Sequence, residues 1–341
     1  GLGDVYKRQI IMCMYLTWEL IHSMAEERSM ENVTFYNVCP AGIESGGPEL
    51  AHQMCNTLGK LGYRAQMYYI ESDVVEPIDV PASSKYIKYG TEHVKSIKEV
   101  EDSPSVVVFN EGATGWIPVI NNCHKVLWWM SVDNYIINTQ EKDMHVLREQ
   151  IELHLVQSAY AYHYVTEHIG ISKDKVMYVS DYIGDIYMAN LPEMPRQNIV
   201  LYNPKKGFDR LKPIIENTRW VKWIPLIGLS EEDMTAYMHI SKIYIDFGNH
   251  PGKDRIPREA ARCGCCIITN KRGSAAYYED VPVPDKYKFE DETDIEAIQY
   301  SIRTICDNFY ESQQDFEGYR RMISGEKKAF YNDVKEFAKH F

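Results

Sequence analysis

The segment from Tyr244 to Pro284 limits the possible folds of this chain more than any other. A β-like run, Lys242 to Phe247, stops at Gly248 and leads into a polar loop with a Pro-Gly turn. A helical pattern then opens at Ile256, and Cys265 to Thr269 is a second apolar run with β character. Two buried strands joined by a loop and a helix predict an α/β sheet with the loop at its carboxyl edge.

The start of this helix predicts an anion site. The first N–H groups of a helix lack partners within it, and the positive end of the helix dipole lies there. Pro257 costs no hydrogen bond in the first turn for the same reason. Lys253, Arg255 and Arg258 add positive charge, so a phosphate would fit. A second loop, Lys271 to Ser274, is expected beside the first at the edge where open α/β sheets bind ligands.

This order of strand, glycine loop, P-R-E-A-A helix, G-C-x-x-I-T-N strand and G-S-A turn resembles the donor-binding half of GT-B glycosyltransferases. The resemblance is to those related to family 4 and to family 1-type bacterial enzymes, closely in the quoted stretch and loosely over about residues 31 to 325. It implies that Glu259 holds the ribose of a nucleotide-sugar and that loop N–H groups, with Gly252 and Ser274 among the donor-binding residues, hold its diphosphate. The family often has a second glutamate eight residues earlier, where this chain has Pro251. The sugar-reading role of that glutamate is therefore unassigned.

Composition excludes one class of partner. The 341 residues carry a net charge of −12, with 45% hydrophobic and 25% charged residues, as in a folded soluble protein of two domains. A sequence-independent nucleic-acid binder needs a basic stripe, so no nucleic-acid partner is expected. Local basic clusters in an acidic protein fit a small phosphorylated ligand better.

The cysteine pattern does not predict a metal site. The chain has eight cysteines, and Cys263 and Cys266 have CxxC spacing. No second CxxC and no nearby histidine pair completes a tetrahedral zinc site. The pattern predicts buried free thiols of a cytosolic protein. No DxD motif stands at a convincing strand end, so we expect neither a metal nor another cofactor.

Residues 1–29 predict an N-terminal extension. The apolar run from Ile10 to Ile21 is too short to span a bilayer and contains Glu19. The extension is either non-native, with natural initiation at Met30, or an amphipathic helix that packs on the first domain or touches a membrane face.

Residues 30–190 are predicted to form a Rossmann-like domain on the acceptor side. Val33 to Cys39 is a β-like run, and Glu49 to Leu61 has helical periodicity. The glycine loop between them is not G-x-G-x-x-G. Under the resemblance, Gly46 and Gly47 let backbone N–H groups approach the donor phosphates. The alternative is a tight turn without a ligand.

Polar residues follow two further strands of this domain. One clear helix is predicted, at Asp143 to Ser158. Five strands are predicted, at Arg64 to Ile70, Ser105 to Asn110, Lys125 to Met130, Tyr160 to Val165 and Lys175 to Val179. Glu111 and Asp133 follow two of these strands, and carboxylates at a sheet edge are candidate catalytic groups. Each residue is alternatively a helix cap or a turn residue.

Residues 191–325 predict the second Rossmann-like domain, which binds the donor. Its first strand, Ile199 to Tyr202, leads into a loop with Asn203, Lys205 and Lys206, and then into a helix. In GT-B proteins such a loop commonly contacts the donor diphosphate. The two lysines could neutralise a leaving nucleoside diphosphate without a metal, or they are a solvated surface pair. Residues 326–341 are predicted to form a C-terminal helix that packs back on the first domain. Its apolar face is expected to contain Tyr331, Val334, Phe337 and Phe341.

The sequence thus predicts an α/β chain with two Rossmann-like domains facing a central cleft, the GT-B fold. The resemblance implies a retaining, metal-independent glycosyltransferase that moves a sugar from a nucleotide-sugar to a glycan or other hydroxyl acceptor, in surface polysaccharide or glycan synthesis. Asp133, Glu111 and Lys206 are the catalytic candidates. A cytoplasmic location is expected, and peripheral association with the inner membrane face is an open alternative. A GT-B sugar-nucleotide epimerase and a non-catalytic GT-B binding protein are the alternative functions.

Overall fold

The computed structural model describes residues 33–72, 74–189, 194–290 and 292–341. The predicted extension at residues 1–29 and the initiation at Met30 lie outside these residues. Two compact units are present. Among the described residues, the first unit contains those up to Phe109, Gly115–Lys125 and Ala338–Phe341. The second unit contains Asn110–Thr114 and Val126–Phe337. The domain boundaries given above stay predictions.

The first unit is a layer of parallel strands with a helix packed on it. Its strands and helices are β1 (Thr34–Pro40), α1 (Gly46–Lys60), β2 (Arg64–Ile70), β3 (Glu92–His93), α2 (Ile97–Glu101) and β4 (Ser105–Asn110). The strand order is β3-β2-β1-β4. Leu50, Met54 and Leu58 recur every four residues on α1 and are buried, while α1 packs against β1 and β2. The predicted first strand-loop-helix unit is therefore confirmed.

The second unit contains three further parallel strands and a five-stranded parallel sheet. Its elements begin with β5 (His124–Trp129), α3 (Val132–Thr139), α4 (Met144–Gln150), β6 (Leu153–Val156), α5 (Ala159–His163) and β7 (Val176–Tyr178). They continue with β8 (Gln197–Tyr202), α6 (Phe208–Asn217), β9 (Lys222–Pro225), α7 (Glu231–Ile240), β10 (Ser241–Asp246), α8 (Arg255–Arg262), β11 (Cys266–Asn270) and β12 (Lys288–Phe289). The last helices are α9 (Ile295–Asp307), α10 (Phe309–Ser312) and α11 (Glu317–Ala338).

The strand order of the five-stranded sheet marks where a ligand would bind. The order is β12-β11-β10-β8-β9. After β8 the chain moves outward to β9 and then returns to the other side of β8 as β10. The loops leaving β8 and β10 therefore diverge at their carboxyl ends, and open α/β sheets bind ligands at such a topological switch point. Both basic loops identified from the sequence begin there.

Two predicted elements of the second unit are wrong. Tyr160 to Val165 is not a strand, because Ser158 caps a helix by accepting the N–H of Ala161 at 3.1 Å. Asp280 also accepts the N–H groups of Ala159 and Tyr160 at 2.7 and 3.1 Å, which satisfies the other donors of the first turn.

The predicted helix from Asp143 to Ser158 stops at Gln150. Leu153–Val156 is buried throughout and pairs with β5 and β7 on its two sides, so this short apolar run is a central parallel strand.

The C-terminal helix α11 has a different apolar face from the one expected. Val334 and Phe337 are fully buried as predicted, but Tyr331 is 42% exposed and Phe330 is buried in its place. The ring of Phe330 stacks on Trp128, with 6.4 Å between centroids. Among the described residues, no helix combines the length and apolar character needed to cross a membrane.

Candidate functional site

A pocket of about 780 Å³ opens at the topological switch point of the second unit. It is lined by residues from α3, from the loop after β8 and the start of α6, and from the loop after β10: Asp133, Asn134, Ile137, Pro204, Lys205, Lys206, Gly207, Phe208, Asp209, Arg210, Asn249 and Pro251. Its volume lies in the range of small-molecule sites. Three of the predicted site residues, Asp133, Lys205 and Lys206, are brought together here.

The loop after β8 holds its two lysines through the backbone. The side chain of Asn203 accepts the N–H of Lys205 at 3.0 Å, and its carbonyl accepts the N–H of Lys206 at 3.2 Å. Gly207 has a φ of +64°, and a Cβ there would collide with the carbonyl of Phe247. Glycine is therefore required where this loop passes the end of β10.

Lys206 lies at the pocket and pairs with a carboxylate behind it. Its ammonium is 2.5 Å from Oδ1 of Asp254, and its side chain is 37% exposed. Burial alone would lower the pKa of Lys206, but attraction to Asp254 outweighs burial and raises the pKa above its ordinary value. Lys206 is therefore a cation throughout the neutral range.

A buried histidine shares the same carboxylate. His250 is 2% exposed, and its Nδ1 lies 2.8 Å from Oδ2 of Asp254. Its Nε2 lies 3.1 Å from the hydroxyl of Thr269 and 3.7 Å from Asp246. The sequence patterns did not predict that Asp246, His250 and Asp254 contact one another. Their spacing of four residues was the signal that could have revealed this group.

The described part of the chain contains one group of three or more histidine, cysteine or acidic residues whose potential metal-ligand atoms all lie within 4.8 Å of one another. This group is Asp246, His250 and Asp254. The Lys206 ammonium already contacts Asp254. The group is therefore best described as a charge network completed by lysine. Cys263 and Cys266 are free, buried thiols.

Two cations of the predicted anion site are paired inside the protein. Arg258 is fully buried, and its guanidinium lies 2.6 Å from Asp181 and 2.8 Å from Glu326. Lys253 lies 2.9 Å from Glu326 and donates to Ser180 at 2.7 Å. Burial alone would raise the pKa of Asp181, but attraction to Arg258 outweighs it and holds the pKa below its usual value. The charge of Arg258 thus balances internal carboxylates.

Gly252 and Ser274 fix the loop after β10. A Cβ on Gly252 would collide with the carbonyl of Met130, so only glycine allows this close approach. Ser274 donates through its hydroxyl to the Gly252 carbonyl at 2.6 Å, and its N–H donates to the His250 carbonyl at 2.9 Å. The N–H of Val132 donates to Pro251 at 2.8 Å. Hydrogen bonds from Ser274 and from Val132 therefore hold the loop that forms this wall of the pocket.

Arg255 and Glu259 lie one turn apart at the start of α8. Nε of Arg255 is 3.8 Å from Oε1 of Glu259, and both side chains are largely buried. The predicted position of Glu259 in the first turns of a helix is therefore correct, while its ribose-binding role stays a prediction.

Asp133 is oriented by a tyrosine. It lies in the first turn of α3, which Ser131 caps by accepting the N–H of Asn134 at 3.3 Å. Oδ1 of Asp133 accepts a hydrogen bond from the hydroxyl of Tyr160 at 2.9 Å. Because Asp133 also lines the pocket, its other oxygen is a candidate acceptor for a substrate hydroxyl.

Gly46 and Gly47 lie in the first unit, where they begin α1. The hydroxyl of Tyr86 accepts the N–H of the preceding residue, Ser45, at 2.8 Å and donates to its carbonyl at 2.9 Å. This glycine turn is therefore anchored by its own unit.

Glu111 is a buried carboxyl group that accepts the N–H of Met130 at 3.0 Å. Burial raises the pKa of Glu111 to about 7, although backbone hydrogen bonds oppose the rise. The native state therefore binds this proton more tightly than the unfolded state does, and protonation of Glu111 stabilises the fold below about pH 7.

Glu111 is therefore expected to make the protein lose stability as the pH rises. The contribution is full below the ordinary glutamate pKa and is lost as the pH rises through about 7, with a size on the order of 3 kcal/mol. Urea unfolding across this range should show that Glu111→Gln lacks this component, while Glu290→Gln, at a side chain 79% exposed, keeps it. Equal pH profiles for the wild type and Glu111→Gln would contradict the assignment.

The two parallel sheets and the pocket at the switch point define the class: the chain has the GT-B fold of glycosyltransferases. It is similar to a glycosyltransferase from Rickettsia africae ESF-5, with 14% identity, a TM-score of 0.66, and 91% of this chain and 98% of that chain covered. It is also similar to HepE from Anabaena, solved in complex with UDP-glucose, with 10% identity, a TM-score of 0.67, and coverage of 90% and 100%. WaaG, a glycosyltransferase involved in lipopolysaccharide biosynthesis, matches with 12% identity, a TM-score of 0.55, and coverage of 89% and 98%. No family model and no curated protein matches the sequence. The predicted fold class is confirmed.

Proposed function

We propose that this protein is a glycosyltransferase that moves a sugar from a nucleotide-sugar to a hydroxyl of a glycan or other acceptor. The observation that carries the proposal is the pocket at the switch point, where Lys205, Lys206 and Arg210 surround a space large enough for a small ligand. A leaving nucleoside diphosphate carries negative charge, and preorganised cations stabilise that charge as it develops. The GT-B likeness and the UDP-glucose in the HepE structure support this chemistry.

The finer features of the reaction are also part of the proposal. Lys206 would contact the diphosphate, and Asp133 would accept a hydrogen bond from the acceptor hydroxyl. We propose retention of configuration without a metal, in polysaccharide or glycan synthesis at the cytoplasmic side of a membrane. The role of WaaG in lipopolysaccharide biosynthesis supports the pathway. Turnover in excess EDTA that falls well below turnover with added Mg²⁺ would exclude metal independence.

Glu259→Ala is expected to weaken donor binding at least tenfold, because a carboxylate that accepts ribose hydroxyls contributes a charge-assisted hydrogen bond. The measurement is a thermal-shift screen against nucleoside diphosphates and nucleotide-sugars, since a ligand that binds only the native state raises the melting temperature.

The matched control for this screen is Glu290→Gln, because Glu290 is an exposed residue whose charge pairs with Lys271. A selective shift that Glu259→Ala loses and Glu290→Gln keeps identifies the donor and its base. Absence of any shift in the wild type, together with no release of free nucleoside diphosphate from nucleotide-sugars, would reject the glycosyltransferase proposal in favour of a non-catalytic GT-B protein.

A further inference from the structure

Asp254 lies between the pocket lysine and a buried histidine. Its Oδ1 is 2.5 Å from the ammonium of Lys206, and its Oδ2 is 2.8 Å from Nδ1 of His250. We propose that His250 and Asp254 position and tune Lys206, so that the pocket binds a diphosphate more tightly when His250 carries a proton. This inference rests on the proposed function, because it assumes that Lys206 contacts the donor diphosphate.

The charge of the group decides the direction of the effect. Lys206, Asp246 and Asp254 together carry one net negative charge when His250 is neutral. A proton on His250 brings the group to neutrality. His250 and Asp246 are 2% and 4% exposed, so water and salt screen these charges poorly. An incoming diphosphate is therefore repelled less when His250 is protonated.

Sharing of the carboxylate acts in the same direction. When the imidazole is neutral, Asp254 pairs with Lys206 as its one cation. The negative charge of Asp254 then largely neutralises the positive charge of the Lys206 ammonium. With an imidazolium, Asp254 is shared between two cations, and more of the positive charge of Lys206 is available to a phosphate. His250 does not line the pocket, so it is a positioning residue that acts through Asp254.

The surroundings of His250 accommodate both protonation states. A protonated Nε2 has acceptors in the Thr269 hydroxyl at 3.1 Å and the Asp246 carbonyl at 3.4 Å. When Nε2 is unprotonated, the hydroxyl of Thr269 can donate to it instead. The ring can therefore change its charge without losing its hydrogen-bond partners.

Charged and titratable groups of both signs face His250, and two carboxylates among them favour the protonated form. Asp246, Asp254, Lys206, Lys253, Asp280 and Tyr319 surround the ring or the small cavity beside it. Burial and the charge of Lys206 lower the pKa of His250, but Asp254 and Asp246 outweigh both and raise the pKa above its ordinary value. As the pH rises through this raised pKa the proton is lost, and diphosphate affinity is expected to fall.

The test uses UDP as the probe and isothermal titration calorimetry between about pH 6 and about pH 9, which spans the range in which histidine changes charge. From about pH 6 to about pH 9, the affinity of the wild type for UDP should fall roughly tenfold more than that of His250→Gln, because the positive charge of His250 is lost. The ionisation of UDP itself is common to all variants. His239→Gln, a change at another histidine of the second unit outside the pocket, should follow the wild type.

A second variant keeps the test informative if His250→Gln fails to fold. Asp254→Asn should lower the pKa of His250 measured by NMR of the imidazole nitrogens, because the carboxylate next to Nδ1 is removed. An unchanged His250 pKa in Asp254→Asn would overturn the inference. UDP binding with the same pH profile in the wild type and His250→Gln would also overturn it, while leaving the proposed function intact. Absence of nucleoside diphosphate binding at every pH would reject the proposed function, and the inference with it.

Discussion

Arg258→Met is expected to lower the free energy of unfolding by about 3 to 5 kcal/mol, because it leaves the buried carboxylate of Asp181 without the cation it contacts and leaves Glu326 with Lys253 alone. Arg258 is fully buried, with Asp181 and Glu326 at 2.6 and 2.8 Å. Methionine fills much of the same space, so the loss reports the missing charge more than a cavity. Urea unfolding of the wild type and the variant at neutral pH measures the difference.

Arg321→Met is the matched control for this loss. Arg321 lies on α11, is 76% exposed and pairs with Glu317 at 2.9 Å, so its removal should cost less than about 0.5 kcal/mol. Adding Asp181→Asn to Arg258→Met should recover part of the stability, because it removes an uncompensated negative charge. If Arg258→Met is as stable as Arg321→Met but binds no nucleoside diphosphate, Arg258 instead has the donor-binding role that the sequence predicted.

The sequence could predict much of the second unit because its signals there are local. The strand, loop and helix around Asn203 and the βαβ unit around Glu259 have bounds within a few residues of those expected. Each loop also has glycines where the backbone passes another chain segment closely, as at Gly207 and Gly252. Short-range patterns of this kind specify elements and sheet edges, so the position of the pocket followed from the order of the elements.

The partners of the charged residues could not be predicted in the same way. Arg258 is 77 residues from Asp181 and 68 from Glu326 along the chain, and no spacing rule links such distant residues. The sequence therefore placed Arg258 at an anion site, while the structure surrounds it with internal carboxylates. Tyr160 shows the same limit, because the acceptor that completes its helix start, Asp280, is 120 residues away.

Lys206→Ala is expected to reduce kcat/KM for sugar transfer roughly 100-fold to 1000-fold, the usual loss when one preorganised group that stabilises developing charge is removed. Asp254 holds the Lys206 ammonium at the pocket, and the Asn203 carbonyl fixes the Lys206 backbone, so the ammonium needs little reorganisation when the diphosphate leaves. The effect should be larger on kcat than on the affinity for intact donor, because negative charge on the leaving group is greatest in the transition state. Steady-state kinetics with the donor found in the thermal-shift screen measures both quantities.

Lys205→Ala is the matched control for Lys206→Ala, because it removes the neighbouring lysine of the same loop and the same pocket. Lys205 has an exposed side chain, and solvent weakens its attraction to a phosphate, so the expected loss is roughly tenfold or less. Lys206→Arg should retain the charge but not the contact geometry, and an intermediate rate is expected because arginine and lysine present their donors differently. Equal rates for the wild type, Lys205→Ala and Lys206→Ala would exclude this loop from the reaction. A loss in Lys205→Ala larger than that in Lys206→Ala would show that the exposed lysine, and not the one held by Asp254, stabilises the leaving diphosphate.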